Sequence, residues 1–234
     1  MNSSNPLNRT ELLNAELHTS LMITRDAVDH PNFVNVFLNE FPAASACCPL
    51  FLAKDANTGE FYAAALFGFK QRELLVDGAD TGKAAFHPLD LVRQGFFASD
   101  DNIAIDPSSP RFGPGATVRL FDEDGQPSAA LRNIQRAIGE VIAGRAATRA
   151  FIQEMLTLKL VEPIDITLSF DDGEKLTLDG LYTVSREALM DLDDATVLRL
   201  YRNWYIQAAW CMAFSLNQVS VLAGRRNARL AAGF

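Results

Sequence analysis

The clearest alternation of apolar and polar positions lies between residues 166 and 184. Ile166, Leu168 and Phe170 alternate with polar residues, as do Leu176 and Leu178, the period of a strand with one face buried. Both sets must face one core, and that requirement selects the turn between them. A two-residue Asp172-Gly173 loop would pair Leu168 with Thr177 and put the sets on opposite faces. A three-residue loop, Asp171-Asp172-Gly173, pairs Leu168 with Leu176 and Ile166 with Leu178, with Gly173 taking the left-handed position. Tyr182 and Val184 extend the second strand, and Ser185 caps a short helix containing Glu187 and Leu189.

Helical periodicity flanks this hairpin on both sides. After the Asp122-Glu123-Asp124-Gly125 turn, Pro127 and Ser128 open a helix expected to run to about Leu160. Its apolar stripe is Leu131, Ile134, Ile138, Val141 and Ile142, resuming at Phe151, Ile152, Met155 and Leu156. The Ala- and Gly-rich stretch from Ala143 to Ala150 predicts close approach by a second helix, and Pro163 is expected to end the first. A last helix is predicted from about Asp194 to Arg225, with Val197, Tyr201, Trp204, Ala208, Cys211, Ser215, Val219 and Leu222 at steps of three or four.

The first half is less regular. His18–Thr24 is β-like, and Asn32–Ala46 predicts a helix with Val34, Phe37, Leu38 and Phe41 on one side, kinked or ended by Pro42. Leu50–Lys54 and Phe61–Phe69 predict strands joined by a turn at 55–59. The second strand is apolar on both faces, as in a central, doubly covered strand. Arg72–Val76 and Asn102–Asp106 are further strand candidates, and Pro88 opens a short helix through Arg93. The fold class expected is α+β, a mainly antiparallel sheet with two long helices flanking the hairpin of the second half. Residues 1–16 read as a flexible lead-in, 17–225 as one domain with an internal boundary near 107–116, and 226–234 as a tail.

Five ordered runs resemble the SapC family of bacterial proteins. They are Asn39-Glu40-Phe41-Pro42-Ala43, Ala65-Leu66-Phe67-Gly68-Phe69, the segment Leu120 to Ser128, the segment Arg145 to Phe151, and Leu178 to Val184. Together they span residues 15 to 225. The resemblance implies an accessory or binding protein linked to peptide, amino-acid or nutrient uptake, because similar proteins are often encoded near outer-membrane receptors, tryptophan-halogenase-like enzymes and cupin-like oxygenases. It carries no catalytic residue set. Nor does the chain have a permease pattern, since it holds at most one apolar stretch of spanning length.

Composition narrows the classes. A net charge of −8 argues against nonspecific binding to nucleic acid or an anionic membrane. Asn203–Ala223 is long enough to span a bilayer, but Gln207, Ser215, Asn217, Gln218 and Ser220 make it read as a buried amphipathic helix. Residues 1–24 lack the apolar core of a Sec signal. Three cysteines, two of them adjacent, do not make a disulfide framework and point to a reducing, cytoplasmic setting. Sixteen Phe against four Tyr and two Trp fit a dry core better than a wet recognition surface.

The search for chemistry returns few candidates. Asp29-His30 is half of a metal or proton-relay site, or else an ordinary turn before Pro31, and its spacing favours the turn. Cys47-Cys48 lacks a second pair. Asp122 to Gly125 fails calcium-loop spacing, because the position five residues before the glycine is Leu120, and so reads as an acidic turn at a helix start. Gly113-Pro114-Gly115 reads as a connector. Arg132 with Arg136, and Arg145 with Arg149, share helix faces and suit a carboxylate or phosphate clamp or a solvated face. Trp204, Tyr205 and Trp210 are groove-lining candidates, with Trp204 placed on the core stripe. The residues expected to contact a ligand or partner are Glu40, Phe41, Asp122, Arg145, Arg149 and Tyr182. No cofactor or metal is expected. The reading is a non-catalytic cytoplasmic accessory protein that binds a protein partner or a small-molecule or peptide ligand, with neither nucleic acid nor membrane insertion. Its rivals are an enzyme built from scattered groups such as Glu40, Asp122, Arg149 and Tyr182, and a surface-layer or assembly component.

Overall fold

Strand pairing follows the alternation of the sequence most closely where two apolar sets have to share a face. The computed structural model describes residues 10–25, 31–71, 73–76 and 86–233. In chain order the first half holds β1 (Glu11–Leu12), β2 (Met22–Ile23), β3 (Phe33–Asn35), α1 (Phe41–Ser45), β4 (Leu50–Lys54), β5 (Phe61–Leu66), α2 (Leu89–Val92), β6 (Phe96–Ser99), β7 (Asn102–Ile105) and β8 (Val118–Arg119). The second half holds α3 (Ala129–Thr157), β9 (Val161–Ser169), β10 (Lys175–Val184), α4 (Arg186–Met190), α5 (Asp194–Arg202), α6 (Tyr205–Ser215) and α7 (Gln218–Ala231). Helices lie beside antiparallel sheets, so the chain is α+β.

The chain divides into two compact units, Met1–Asp29 with Leu89–Ala143, and His30–Pro88 with Gly144–Phe234. The 107–116 loop lies inside the first unit and contains a single 3₁₀ turn at Pro110–Phe112. That unit pairs β1 with β7 and β7 with β6, and separately β2 with β8. Glu11 and Leu12, in the expected lead-in, form β1 opposite Ile105 and Ala104. Its core joins Ile23, Phe96, Ile105, Leu120, Leu131 and Ile134. Leu131, Ile134, Ile138 and Val141 of the predicted stripe are buried, but Ile142 is exposed.

The second unit is built on a five-stranded sheet in the order β3-β5-β4-β10-β9. Leu50, Phe51 and Leu52 of β4 are fully buried in succession, as are Ala63 to Leu66 of β5, so both faces of the central strands are covered. The hairpin takes the register set by its two apolar sets: Leu176 lies opposite Leu168 and Leu178 opposite Ile166. Gly173 has φ of 86°, and its N–H donates to the Phe170 carbonyl at 2.9 Å, the left-handed position that a side chain disfavours. A bulge between Leu178 and Leu181 then shifts the register by one residue.

Several predicted elements change identity. Residues 33–35, expected in a helix, form edge strand β3 against Leu66, Ala65 and Ala64. Pro42 does not end a helix but sits in the first turn of α1, where its missing N–H costs nothing. Among the described residues, 73–76 form no strand. Pro163 does not terminate α3. The helix ends at Thr157, where Lys159 turns left-handed with φ of 56° and Leu160 N–H reaches back to the Met155 carbonyl at 2.9 Å. Pro163 instead lies on edge strand β9, a position that tolerates proline. The small-residue middle of α3 is met by the turn before α1, not by a long helix. A Cβ on Gly144 would lie 2.8 Å from the Phe37 Cβ, and the Thr148 hydroxyl accepts from Leu38 N–H at 2.9 Å while donating to the Gly144 carbonyl.

The largest departure is at the end of the chain. The single helix expected from Asp194 to Arg225 is three helices, α5, α6 and α7. The last of them continues to Ala231 through the expected tail and carries a buried arginine, Arg226. Its guanidinium lies 4.1 Å from the Phe170 ring centre, 2.5 Å from Glu174 and 3.6 Å from Glu73. Lys70 pairs with Glu174 at 2.7 Å. Arg226 therefore pins the tip of the β9–β10 hairpin to α7.

Candidate interaction surface

Most of the polar residues singled out in the sequence serve the fold. Glu40 is buried, and its carboxylate accepts from Phe37 N–H at 2.9 Å, closing the 3₁₀ turn Leu38–Glu40 that leads into α1. Phe41 is fully buried and meets Phe151 edge to face at 5.7 Å. Nearby, the hydrogen bond with Cys47 and burial push the Cys48 thiol well above its ordinary value. It stays protonated and unreactive.

Arg149 and Tyr182 reach neighbouring residues at the start of β5 but different partners. Arg149 pairs with Glu60 at 3.3 Å on the surface. Tyr182 stacks edge to face on Phe61 at 4.9 Å, and the Lys54 ammonium lies 4.9 and 5.0 Å from the Phe61 and Tyr182 ring centres. Arg145 is exposed on the same helix as Arg149. Asp122 belongs to the other unit, where its carboxylate accepts from Gln126 N–H at 2.7 Å and closes the turn before α3. Arg132 donates to the Pro127 carbonyl, and Arg136 pairs with Glu140 at 3.5 Å. The His18 ring contacts Glu11 at 3.2 Å through Nε2 and the Asn14 backbone through Nδ1, so both nitrogens are engaged. Among the described residues no group of three or more His, Cys, Asp or Glu side chains is placed to hold a metal ion. Asp29-His30 lies outside the described residues.

Four exposed large apolar residues, Val197, Leu198, Tyr201 and Trp204, lie close together in sequence at the corner between α5 and α6. Asp193 caps α5, accepting from the Thr196 amide at 3.0 Å and its hydroxyl at 2.7 Å. These bonds hold the Asp193 carboxyl below the usual carboxylate range. Leu200 is buried and Arg199 pairs with Glu154, which fixes the rotation of α5. That rotation leaves Val197, Leu198 and Tyr201 facing solvent, at 36%, 48% and 60% exposure. Arg202 is exposed beside them.

Trp204 ends the ridge, 69% exposed and left-handed with φ of 63°. Its N–H donates to the Tyr201 carbonyl at 3.1 Å to close α5, and its own carbonyl accepts from Ala208 N–H at 3.2 Å to open α6. A left-handed residue with a side chain costs roughly 1–2 kcal/mol, and glycine or asparagine is the usual occupant of such a helix end. Little burial offsets the cost here. Trp204 is thus a left-handed residue whose side chain the fold does not bury. Trp, Tyr and Arg are also the residues that dominate protein-binding hot spots.

The sequence placed Val197, Tyr201 and Trp204 on the core stripe, and all three are exposed. Their spacing is helical, but spacing alone does not say which face is inward. Asn203 was the available signal: asparagine favours caps and turns over helix interiors, and here it caps α5.

The SapC family model matches residues 13–222 of the chain. No curated protein and no solved structure matches it.

Proposed function

The chain belongs to the SapC family, and from that premise we propose that it is a non-catalytic accessory protein that docks a protein partner through the α5–α6 corner. The observation that carries this reading is Trp204, strained at positive φ and exposed. Support comes from the polar candidates of the first half and of α3. Glu40, Arg149 and Tyr182 each contact a different neighbour inside the fold, whereas Val197, Leu198, Tyr201 and Trp204 are exposed together. The setting proposed is the cytoplasm, in peptide, amino-acid or nutrient-uptake metabolism.

The test is quantitative co-purification from the native cell with wild type and two variants, Trp204→Gly and Tyr201→Ala, whose melting temperatures are measured in parallel. One stoichiometric partner is expected with wild type, reduced about tenfold or more by either variant, as for a hot-spot residue. Equal recovery with wild type and both variants overturns the assignment of the surface. Sustained turnover of a candidate substrate by the purified, metal-free chain overturns the non-catalytic reading.

A further inference from the structure

The corner that carries Trp204 joins two helices whose sequence reads as one. Residues 194–217 contain neither glycine nor proline, and Val197, Tyr201, Trp204, Ala208 and Cys211 keep helical steps through the break. The left-handed turn is confined to one residue, with φ of 63° at Trp204 against −95° at Asn203. Beyond it the Trp204 carbonyl accepts from Ala208 N–H at 3.2 Å, a bond of the continuous helix already in place.

Little holds α5 at its present angle. Among its nine residues Leu200 is the one that is buried. The ion pair of Arg199 with Glu154 stands partly in solvent, the two side chains being 48% and 24% exposed, and exposed pairs contribute little. A nine-residue helix does not persist alone in water, so α5 is helical because it is anchored here or because it continues another helix. The bent form also leaves bonds unmade. α6 opens with no side-chain cap, whereas in one straight helix the Tyr205, Ile206 and Gln207 amides would meet the Tyr201, Arg202 and Asn203 carbonyls a turn back.

We propose that the corner is a hinge with two defined states: bent, as described, and straight, with residues 194–215 as one helix. Straightening needs one principal change, the return of Trp204 to right-handed angles, which relieves its strain. It gives up the burial of Leu200 and the pairing of Arg199 with Glu154, and these two contacts therefore act as the latch. The two states present different surfaces. In the bent state Tyr201 and Trp204 are exposed at the corner. In the straight state Val197, Tyr201 and Trp204 fall in line with Ala208 on one stripe. The surface assigned to a partner then exists in one state only. That consequence rests on the partner reading, whereas the hinge does not.

Pulsed electron resonance distances between spin labels on Ala195→Cys and on the half-buried native Cys211 test the hinge in the full chain, Cys47 and Cys48 being buried. One straight helix puts residues 195 and 211 about 24 Å apart at the helical rise, and the corner brings them closer. Wild type is expected to give mainly the shorter distance. Arg199→Ala with Leu200→Ala opens the latch and is expected to move most molecules to about 24 Å, with far-ultraviolet circular dichroism unchanged because α5 stays helical. Adding Trp204→Gly should cut that population about tenfold, since glycine accepts the left-handed angle and weakens a helix interior. Thermal melts show that each variant is folded. A latch variant that keeps the shorter distance overturns the proposal, as does a wild type already near the longer one. So does a latch variant whose α5 unravels, seen as a broad distribution with the loss of nine residues of helix, or one indifferent to Trp204→Gly. These readouts involve no partner, so the hinge and the partner surface fail separately.

Discussion

Two stretches of this chain carry the same helical period and fold differently. Residues 129–157 form one helix of 29 residues without a break, although it contains Gly139 and Gly144. Residues 194–231 form three helices, although the stretch from 194 to 217 contains neither glycine nor proline. Periodicity therefore reports a face and not continuity. The ends of α3 are set locally, by the Ser128 hydroxyl accepting from Leu131 N–H at 3.3 Å and by the left-handed Lys159. The break at Trp204 has one local signal, Asn203 at the end of α5. A continuous helix would keep Trp204 on the stripe shared by Ala208 and Val219. The fold instead turns α5 so that Leu200 is buried and Arg199 meets Glu154.

The largest expected effect tests the far end of the broken stretch. Arg226→Ala leaves Glu73 and Glu174 without their guanidinium and Phe170 without its cover. It should cost about 2–4 kcal/mol, the lower side of the range for a broken buried pair because Glu174 is partly solvated. Urea unfolding measures it, and a loss under about 0.5 kcal/mol would show that the hairpin tip does not depend on α7.

Next comes the unbroken helix. Gly144→Val drives a side chain into Phe37 and should cost about 1–3 kcal/mol by overpacking. Gly139 has nothing within 4 Å of its Cβ position, so Gly139→Ala should gain about 0.5–1 kcal/mol. Opposite signs five residues apart on one helix would confirm that position 144, not the small-residue composition, matters. Equal signs would break that distinction.

The break itself is probed by Trp204→Gly. Relief of a left-handed side chain, roughly 1–2 kcal/mol, is partly offset by the greater freedom of glycine in the unfolded chain, about 0.4–1 kcal/mol. The variant should be more stable by about 0.5–1 kcal/mol, while Trp204→Ala, equally strained, should change little. A destabilised Trp204→Gly would mean the indole packs on the fold and would remove the argument for an outside contact.

The smallest effect concerns how α5 begins. Asp193→Ala should lower the melting temperature slightly, and the difference should depend on pH. The folded-state carboxyl is held below its ordinary value. Its contribution is therefore full above the unfolded value near ~3.9 and is lost as the pH falls through the lower, folded one. A wild-type advantage that grows on acidification would contradict the cap.

The same contrast separates what could be read from the residues alone. The register of β9 and β10 followed from two alternating sets and one glycine, because a one-residue slip would have turned every apolar side chain to solvent. Both strands of the β4–β5 pair, the α3 stripe apart from Ile142, and the family resemblance were legible for the same reason: local pattern and turn chemistry leave few alternatives. The candidate surface was not legible. Tyr201 and Trp204 looked like core because aromatic residues at helical spacing usually are core, and only the packing of Leu200 and the pairing of Arg199 decided otherwise. Likewise, nothing local announces that Phe37 and Asn39 lie against Gly144 or that Arg226 reaches Glu174, since these contacts join segments more than fifty residues apart. The sequence by itself determined which residues alternate, where turns are cheap and which runs must share a face. The tertiary structure decided which helix face turned inward, where the last helix broke and which aromatic residues were left in solvent. Those choices depend on competition among distant surfaces for one core, and a local pattern does not encode the winner.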